Sequence, residues 1–151
     1  MKTVVIGIGN EYRHDDAVGP EVVKRLTDLD LTDVSLAVAN GEPAHLIDLW
    51  AEAEVAVLVD AVRNDPASPG RIHELLIDVP ASANGAASSH GLGLGDAVEL
   101  AMSLGRMPRR LVVFAVEGAD FTSGLGLSPN VSVAVEQVAD LVVHEVRAAQ
   151  S

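Results

Sequence analysis

Short runs of β-branched and other apolar residues alternate along this chain with stretches in which apolar residues recur at helical spacing. Continuous apolar runs of this length are typical of strands buried on both faces of a sheet. Five runs predict strands, at residues 3–8, 34–39, 54–62, 72–77 and 110–116. Because helical stretches separate most of them, the pattern predicts a three-layer α/β/α sandwich around a twisted, mainly parallel sheet of about five strands.

Four helices are predicted between and after these strands. Proline is tolerated in the first helical turn, where its missing N–H has no intrahelical partner, and it opens three helices at Pro20, Pro43 and Pro129. The fourth helix spans residues 97–104 and stops at Gly105. The fourth strand follows the third after a short turn, so we expect it to return antiparallel beside the third strand.

Composition narrows the classes of function. The chain has 151 residues, which suits a single domain over 1–151, and its core must be aliphatic because only 3% of residues are aromatic. Ten Lys and Arg against 22 Asp and Glu give a net charge of −12, which excludes a general nucleic-acid binder. Without cysteine there is no disulfide, thiolate metal site or cysteine nucleophile, so any metal would be held by oxygen or nitrogen.

Targeting and membrane signals are absent from the sequence. The apolar run at residues 3–8 is too short for the core of a signal peptide. No stretch reaches the roughly 20 apolar residues that span a bilayer. We therefore expect a soluble, cytoplasmic protein with no membrane partner.

The carboxyl ends of the strands are the places to look for chemistry, because ligands of parallel α/β sheets bind beyond them. This rule selects residues 9–19 after the first strand, Asp60 at the end of the third apolar run, and Glu117 after the last strand. A carboxylate at the end of a buried strand is costly to desolvate without a partner or a metal. The alternative is that Asp60 simply emerges into solvent.

One constellation at this edge suits a metal ion. Asp15 and Asp16 lie just ahead of the first helix, where acids can also cap free N–H groups, so we expect one of them to have that structural role and the other to face the cleft. Asp16, Asp60 and His90, the last in a loop at 80–95, together offer two carboxylates and one imidazole. Such a set suits a borderline ion such as Ni²⁺ or Zn²⁺ with positions left open.

Two other kinds of site fit less well. Gly7 and Gly9 follow a strand as in a dinucleotide-binding loop, but Tyr12 occupies the third glycine position and the second strand does not end in an acid. Ser89 and His90 are adjacent, and adjacent residues rarely face each other as nucleophile and base. No Gly-x-Ser-x-Gly elbow supports a serine hydrolase.

Four motifs in order along the chain resemble those of the [NiFe]-hydrogenase maturation proteases, the endopeptidases that trim the C-terminal extension from the hydrogenase large subunit. They lie at residues 7–20, 57–61, 89–91 and 116–129. Each motif alone is unspecific, but four in order are specific. Their supporting loop residues are Gly9, Asn10, Asp15, Gly19 and Glu117.

The resemblance implies an α/β sandwich, a monomer, and a peptidase of the traditional aspartic type. It implies that Asp16, Asp60 and His90 contact nickel already inserted in the large-subunit precursor, so that cleavage follows insertion; zinc is an alternative ion in the isolated protein. Asp16 or Asp60 would then be the general base. Two functions of other kinds stay open: a nickel-binding maturation chaperone that does not cleave, and a small-molecule hydrolase on the same scaffold.

Overall fold

A five-stranded sheet forms the centre of the computed structural model, which describes residues 2–77 and 93–150. The strands follow one another across the sheet in the order β2-β1-β3-β5-β4. All neighbouring pairs are parallel except β4 and β5, which are antiparallel. The strands are β1 (Thr3–Ile8), β2 (Val34–Ala39), β3 (Val55–Val62), β4 (Ile72–Ile77) and β5 (Arg110–Glu117).

Helices cover both faces of this sheet. The longer elements are α1 (Val18–Thr27), α2 (Pro43–Trp50), α3 (Gly95–Leu104) and α4 (Pro129–Gln150), and a short 3-10 helix spans His14–Ala17. The first and last of the four pack together on one face, and α2 and α3 pack together on the other. The predicted three-layer α/β sandwich with one antiparallel strand is confirmed.

Two apolar clusters fill the space between the layers, and the alternation of side chains along each strand separates them. Leu58 and Trp50 belong to the cluster under α2 and α3, whereas Val57, Phe114 and Val138 belong to the cluster under α1 and α4. The buried Trp50 indole N–H donates to the Arg106 carbonyl oxygen at 3.0 Å. Within the described ranges, no helix has the length and apolar character needed to cross a membrane.

The predicted position of the antiparallel strand was wrong. β4 pairs with β5, with Leu75 opposite Val113, and does not pair with β3. Both edges of β3 are already occupied, since β1 and β5 flank it. The chain after β3 instead crosses the end of β5, where the Gly70 N–H donates to the Glu117 carbonyl oxygen at 2.8 Å. A short turn predicts a hairpin only when the first strand has a free edge.

Among the boundaries that differ from the sequence prediction, two lie near the predicted site residues. Helix α1 begins at Val18, directly after the 3-10 helix, and Pro20 lies inside its first turn. Strand β5 includes Glu117 as its last residue, paired with Val62 of β3. Asp60 therefore lies within the paired part of β3 and not at its end.

Candidate active site

The carboxyl ends of β1 and β3 form a crevice, and Asp16 and Asp60 both lie at it. From β1 the chain goes to β2 on one side of it, and then returns to β3 on its other side. Such a reversal of strand order opens a crevice that α/β proteins use for ligands. Asp16 follows β1 and Asp60 lies near the end of β3. The sequence rule thus selected two neighbouring strands.

Two glycines allow the segment that carries Asp16 to lie directly on the strand ends. Gly9 has a φ of +146°, and a Cβ there would collide with the Asp16 carbonyl oxygen. A Cβ on Gly19 would lie 2.6 Å from backbone atoms of Ile8 and Val59. Any side chain at either position would push the acidic segment away from the sheet, which gives these two predicted loop residues a steric role.

Asp16 is half-buried, and the Asn10 backbone N–H donates to its Oδ2 at 2.8 Å. The Asn10 side chain holds the same loop from the other side, because its Oδ1 accepts from the Tyr12 N–H at 2.9 Å. No side chain caps the N-terminus of α1, so helix capping does not account for the acidic pair.

Asp60 is 8% exposed and lies on the face of the sheet that α2 and α3 cover. Its Oδ1 accepts from the Ala61 N–H at 2.8 Å, and no other hydrogen bond from the described part of the chain reaches its carboxyl group. Burial raises the pKa of Asp60 to about 8, the Ala61 N–H opposes this, and repulsion from Asp16 adds to it. At neutral pH, in the absence of a cation, Asp60 therefore holds a proton.

Asp15 has a structural role distinct from that of its neighbour. It is fully buried and accepts four hydrogen bonds of 2.7–2.9 Å, from the backbone N–H groups of Ala119, Asp120 and Ser128 and from the Ser128 hydroxyl. Burial alone would raise the pKa of Asp15, but the hydrogen bonds from Ser128, Ala119 and Asp120 outweigh it and lower the pKa. Asp15 thereby fixes the loop between β5 and α4.

Glu117 organises the loop between β3 and β4 in a similar way. It is 2% exposed, and its carboxylate accepts from the Ser68 N–H at 2.9 Å and lies 2.7 Å from His73 Nε2. The Ser68 and His73 contacts hold the pKa of Glu117 below its ordinary value. The sequence grouped Glu117 with the site as a supporting residue, and its side chain contacts this loop at Ser68 and strand β4 at His73.

The imidazole of the predicted metal set, His90, lies outside the described residues, as does most of the loop that contains it. Across residues 2–77 and 93–150, no group of three His, Asp or Glu side chains is arranged to hold a metal ion. His14, next to the acidic pair, joins the loops by placing Nδ1 3.0 Å from the Gly126 carbonyl oxygen.

The structure also places two arginines at this edge, which the sequence analysis missed. Arg13 donates through Nε to the Phe121 carbonyl oxygen at 3.2 Å, and the Arg63 guanidinium stacks 4.6 Å from the centre of the Phe121 ring. Arg63 follows β3 directly and Arg13 lies in the loop after β1. The rule that selected the acids could therefore have selected these cations.

A comparison with protein-family models identifies the family of the chain. The model of the family described as HycI, hydrogenase maturation protease, matches residues 20–145. The chain belongs to the hydrogenase maturation protease family. The predicted resemblance to this family is confirmed, and with it membership of a peptidase family.

Relatives of this maturation protease match along nearly all of its length. The hydrogenase 2 maturation protease of Escherichia coli K12 is 26% identical over 150 residues, which cover 97% of this chain and 92% of that protein. A putative hydrogenase maturation protease of Methanocaldococcus jannaschii is 26% identical over 151 residues, covering 95% of this chain and 96% of that protein.

Solved structures of maturation proteases have the same fold. The hydrogenase maturating endopeptidase HybD from E. coli superposes with a TM-score of 0.83 at 24% identity, covering 99% of this chain and 94% of that one. The hydrogenase 2 maturation peptidase of a Thaumarchaeota archaeon gives a TM-score of 0.75 at 25% identity, covering 97% and 98%.

Proposed function

We propose that this chain is an endopeptidase that removes the C-terminal extension of a [NiFe]-hydrogenase large-subunit precursor after nickel insertion. The observation that carries the proposal is the pair of acids at the crevice between β1 and β3. One is half-buried and hydrogen-bonded, and the other is buried with a raised pKa. Membership of the maturation protease family supports the peptidase activity, and the names of the relatives support the hydrogenase as the substrate.

The two acids have environments that suit different tasks, as in other enzymes that use paired carboxyl groups. Asp16 accepts one backbone hydrogen bond and keeps part of its surface open. We assign it as the general base that takes a proton from the attacking water. Without a bound cation Asp60 holds a proton at neutral pH, so its carboxyl group is not free to accept one from water. We assign it to substrate recognition within the same crevice.

The nickel belongs to the substrate in this proposal, and Asp16, Asp60 and His90 are the side chains that recognise it. Asp60 fits this role because it is a buried acid, and no basic side chain within the described residues forms an ion pair with it. A divalent cation would offset the cost of burying its charged form. His90 precedes α3 by a few residues, and α3 packs on the same face as Asp60. The chain has no cysteine, so these oxygen and nitrogen ligands can contact thiolate-held nickel without extracting it.

Asp16→Asn is expected to reduce cleavage of the nickel-loaded precursor by about 100-fold or more, because removal of a general base typically costs that much. Asparagine keeps the oxygen that accepts from Asn10, so the fold should be retained. The measurement is the mass of the precursor after incubation with purified protein. His90→Ala should also abolish cleavage, and nickel-free precursor should remain uncut by the unmutated protein.

The matched control for this assay is Asp48→Asn, which changes an exposed acid on α2 and should cleave at the unmutated rate. A precursor of unchanged mass after incubation with the unmutated protein would contradict the proposal. If that uncut precursor nevertheless stayed bound to the protein, the function would be that of a maturation chaperone.

A further inference from the structure

A cleft of about 700 Å³ lies at the same edge of the sheet as the two acids, and its lining includes neither of them. One wall is the start of the loop after β3, including Arg63, and the other is the loop at residues 118–123 after β5. Arg13, from the loop after β1, completes the lining. The proposed chemistry of Asp16 and Asp60 does not use this cleft.

Two buried acids fix the walls of this cleft. Asp15 holds the 118–123 loop through the N–H groups of Ala119 and Asp120. Glu117 holds the opposite loop through the Ser68 N–H and also contacts His73 of β4, the strand that this loop leads into. Loops that are anchored from below by buried hydrogen bonds keep their shape when no ligand is bound, so the cleft is preformed.

Both arginines converge on one residue of the wall, Phe121. Its carbonyl oxygen accepts from Arg13, and its ring lies under the Arg63 guanidinium. In the part of the chain that the structure describes, neither guanidinium has a carboxylate oxygen within 4.0 Å. The two side chains are thus oriented by neutral partners, and N–H donors suited to paired contacts with a carboxylate stay available.

The acids that line the cleft do not neutralise these cations. Asp120 is engaged elsewhere, because its Oδ1 accepts from the Thr122 backbone N–H at 2.9 Å and from the Thr122 hydroxyl at 2.6 Å. Asp65 is exposed. With a net charge of −12, the protein as a whole repels an acidic peptide, so a pair of uncompensated cations marks a place where one can be bound.

We propose that Arg13 and Arg63 bind a carboxylate of the substrate polypeptide, within the extension that is removed. This inference rests on the proposed function. Arg63 directly follows β3, at the carboxyl end of the strand that carries Asp60. The recognised carboxylate belongs either to an acidic side chain or to the C-terminus of the precursor.

Kinetics with the nickel-loaded precursor test the two arginines. Arg13→Gln and Arg63→Gln should each raise KM by about tenfold with little change in kcat, since each removes a charge-assisted hydrogen bond used in binding. Arg63→Lys keeps the charge and should recover part of the loss. The control is Arg109→Gln, since Arg109 is 80% exposed and lies just before β5, at the opposite edge of the sheet. An unchanged KM in the double variant Arg13→Gln/Arg63→Gln would overturn the inference and leave the proposed function standing.

A synthetic peptide with the sequence of the extension separates the two sources of the carboxylate. Its binding is measured by fluorescence anisotropy in three forms: unmodified, amidated at the C-terminus, and with each Asp and Glu replaced by Asn and Gln. Weaker binding of the amidated form alone identifies the terminal carboxylate, and weaker binding of the substituted form identifies a side chain. Equal binding of all three forms would overturn the inference. Because this measurement needs no cleavage, it tests the cleft even if the unmutated protein leaves the precursor whole.

Discussion

Asp60→Asn is expected to stabilise the protein at neutral pH while it abolishes cleavage of the precursor. The carboxyl group is buried, and its pKa is raised to about 8 from an ordinary value of 3.8. Above its ordinary pKa the unfolded chain loses this proton, whereas the folded protein keeps it until about pH 8. Asparagine keeps the acceptor for the Ala61 N–H and has no proton to lose.

The sign of the pH dependence follows from the raised pKa. The stabilising contribution of the protonated Asp60 is complete below about pH 4 and is lost as the pH rises toward the folded-state value of about 8. The loss is at most about 1.4 kcal/mol for each pH unit in that interval. The Asp60→Asn protein lacks this loss, so its advantage in free energy of unfolding should grow between pH 5 and pH 8.

Urea unfolding at pH 5, 6, 7 and 8 measures this difference directly. Asp48→Asn removes an exposed acid and serves as the matched control, for which we expect no comparable change in slope. Equal pH slopes for the unmutated and Asp60→Asn proteins would show that Asp60 is ionised in the folded state. A stabilised but inactive variant is the usual sign of a group retained for function at a cost in stability.

Asp15→Ala is expected to have the opposite effect, a loss of about 3–5 kcal/mol of stability, because it leaves a buried network of donors unpaired. Four donors from the loop between β5 and α4 converge on this one carboxylate. Since folded domains are stable by only about 5–15 kcal/mol, this is a large fraction of the total. The loop forms one wall of the cleft that Arg13 and Arg63 line, so KM for the precursor should rise as well.

Two further variants make the Asp15 prediction quantitative. Asp15→Asn keeps the shape but replaces one acceptor oxygen with a donor and should destabilise less than alanine. Ser128→Ala removes only the hydroxyl donor and should cost about 1 kcal/mol. Unfolding free energies from urea titration at pH 7 give the comparison. Similar values for Asp15→Ala and Ser128→Ala would contradict the assigned anchoring role.

The stability contribution of Asp15 changes with pH in the opposite direction from that of Asp60. The pKa of Asp15 is lowered in the folded protein, so its contribution is present above the ordinary value of 3.8 and is lost as the pH falls through the lowered folded-state value. The stability difference between the unmutated and Asp15→Ala proteins should therefore shrink in acid. A difference that stayed constant down to pH 2 would contradict this.

Local patterns determined most of the architecture, because burial requires them. Strands covered by helices on both faces must be apolar throughout, so the runs at β1, β3 and β5 were recognisable in the sequence. The pairing partner of β4 could not be recognised in the sequence, since pairing depends on which strand edges stay free once the whole sheet is assembled. The same limit applies to the acidic pair, whose two members are adjacent in sequence and have different partners in space.

The α/β sandwich, the family and the edge of the sheet at which the acids lie could be predicted from the sequence, because apolar periodicity and ordered motifs are properties of the chain alone. The role of each group at that edge depends on the folded structure. Asp15 anchors a loop, burial raises the pKa of Asp60, and Arg13 and Arg63 both contact Phe121. Burial, hydrogen-bond partners and the field of neighbouring charges depend on contacts between residues far apart in the chain, which no local pattern contains.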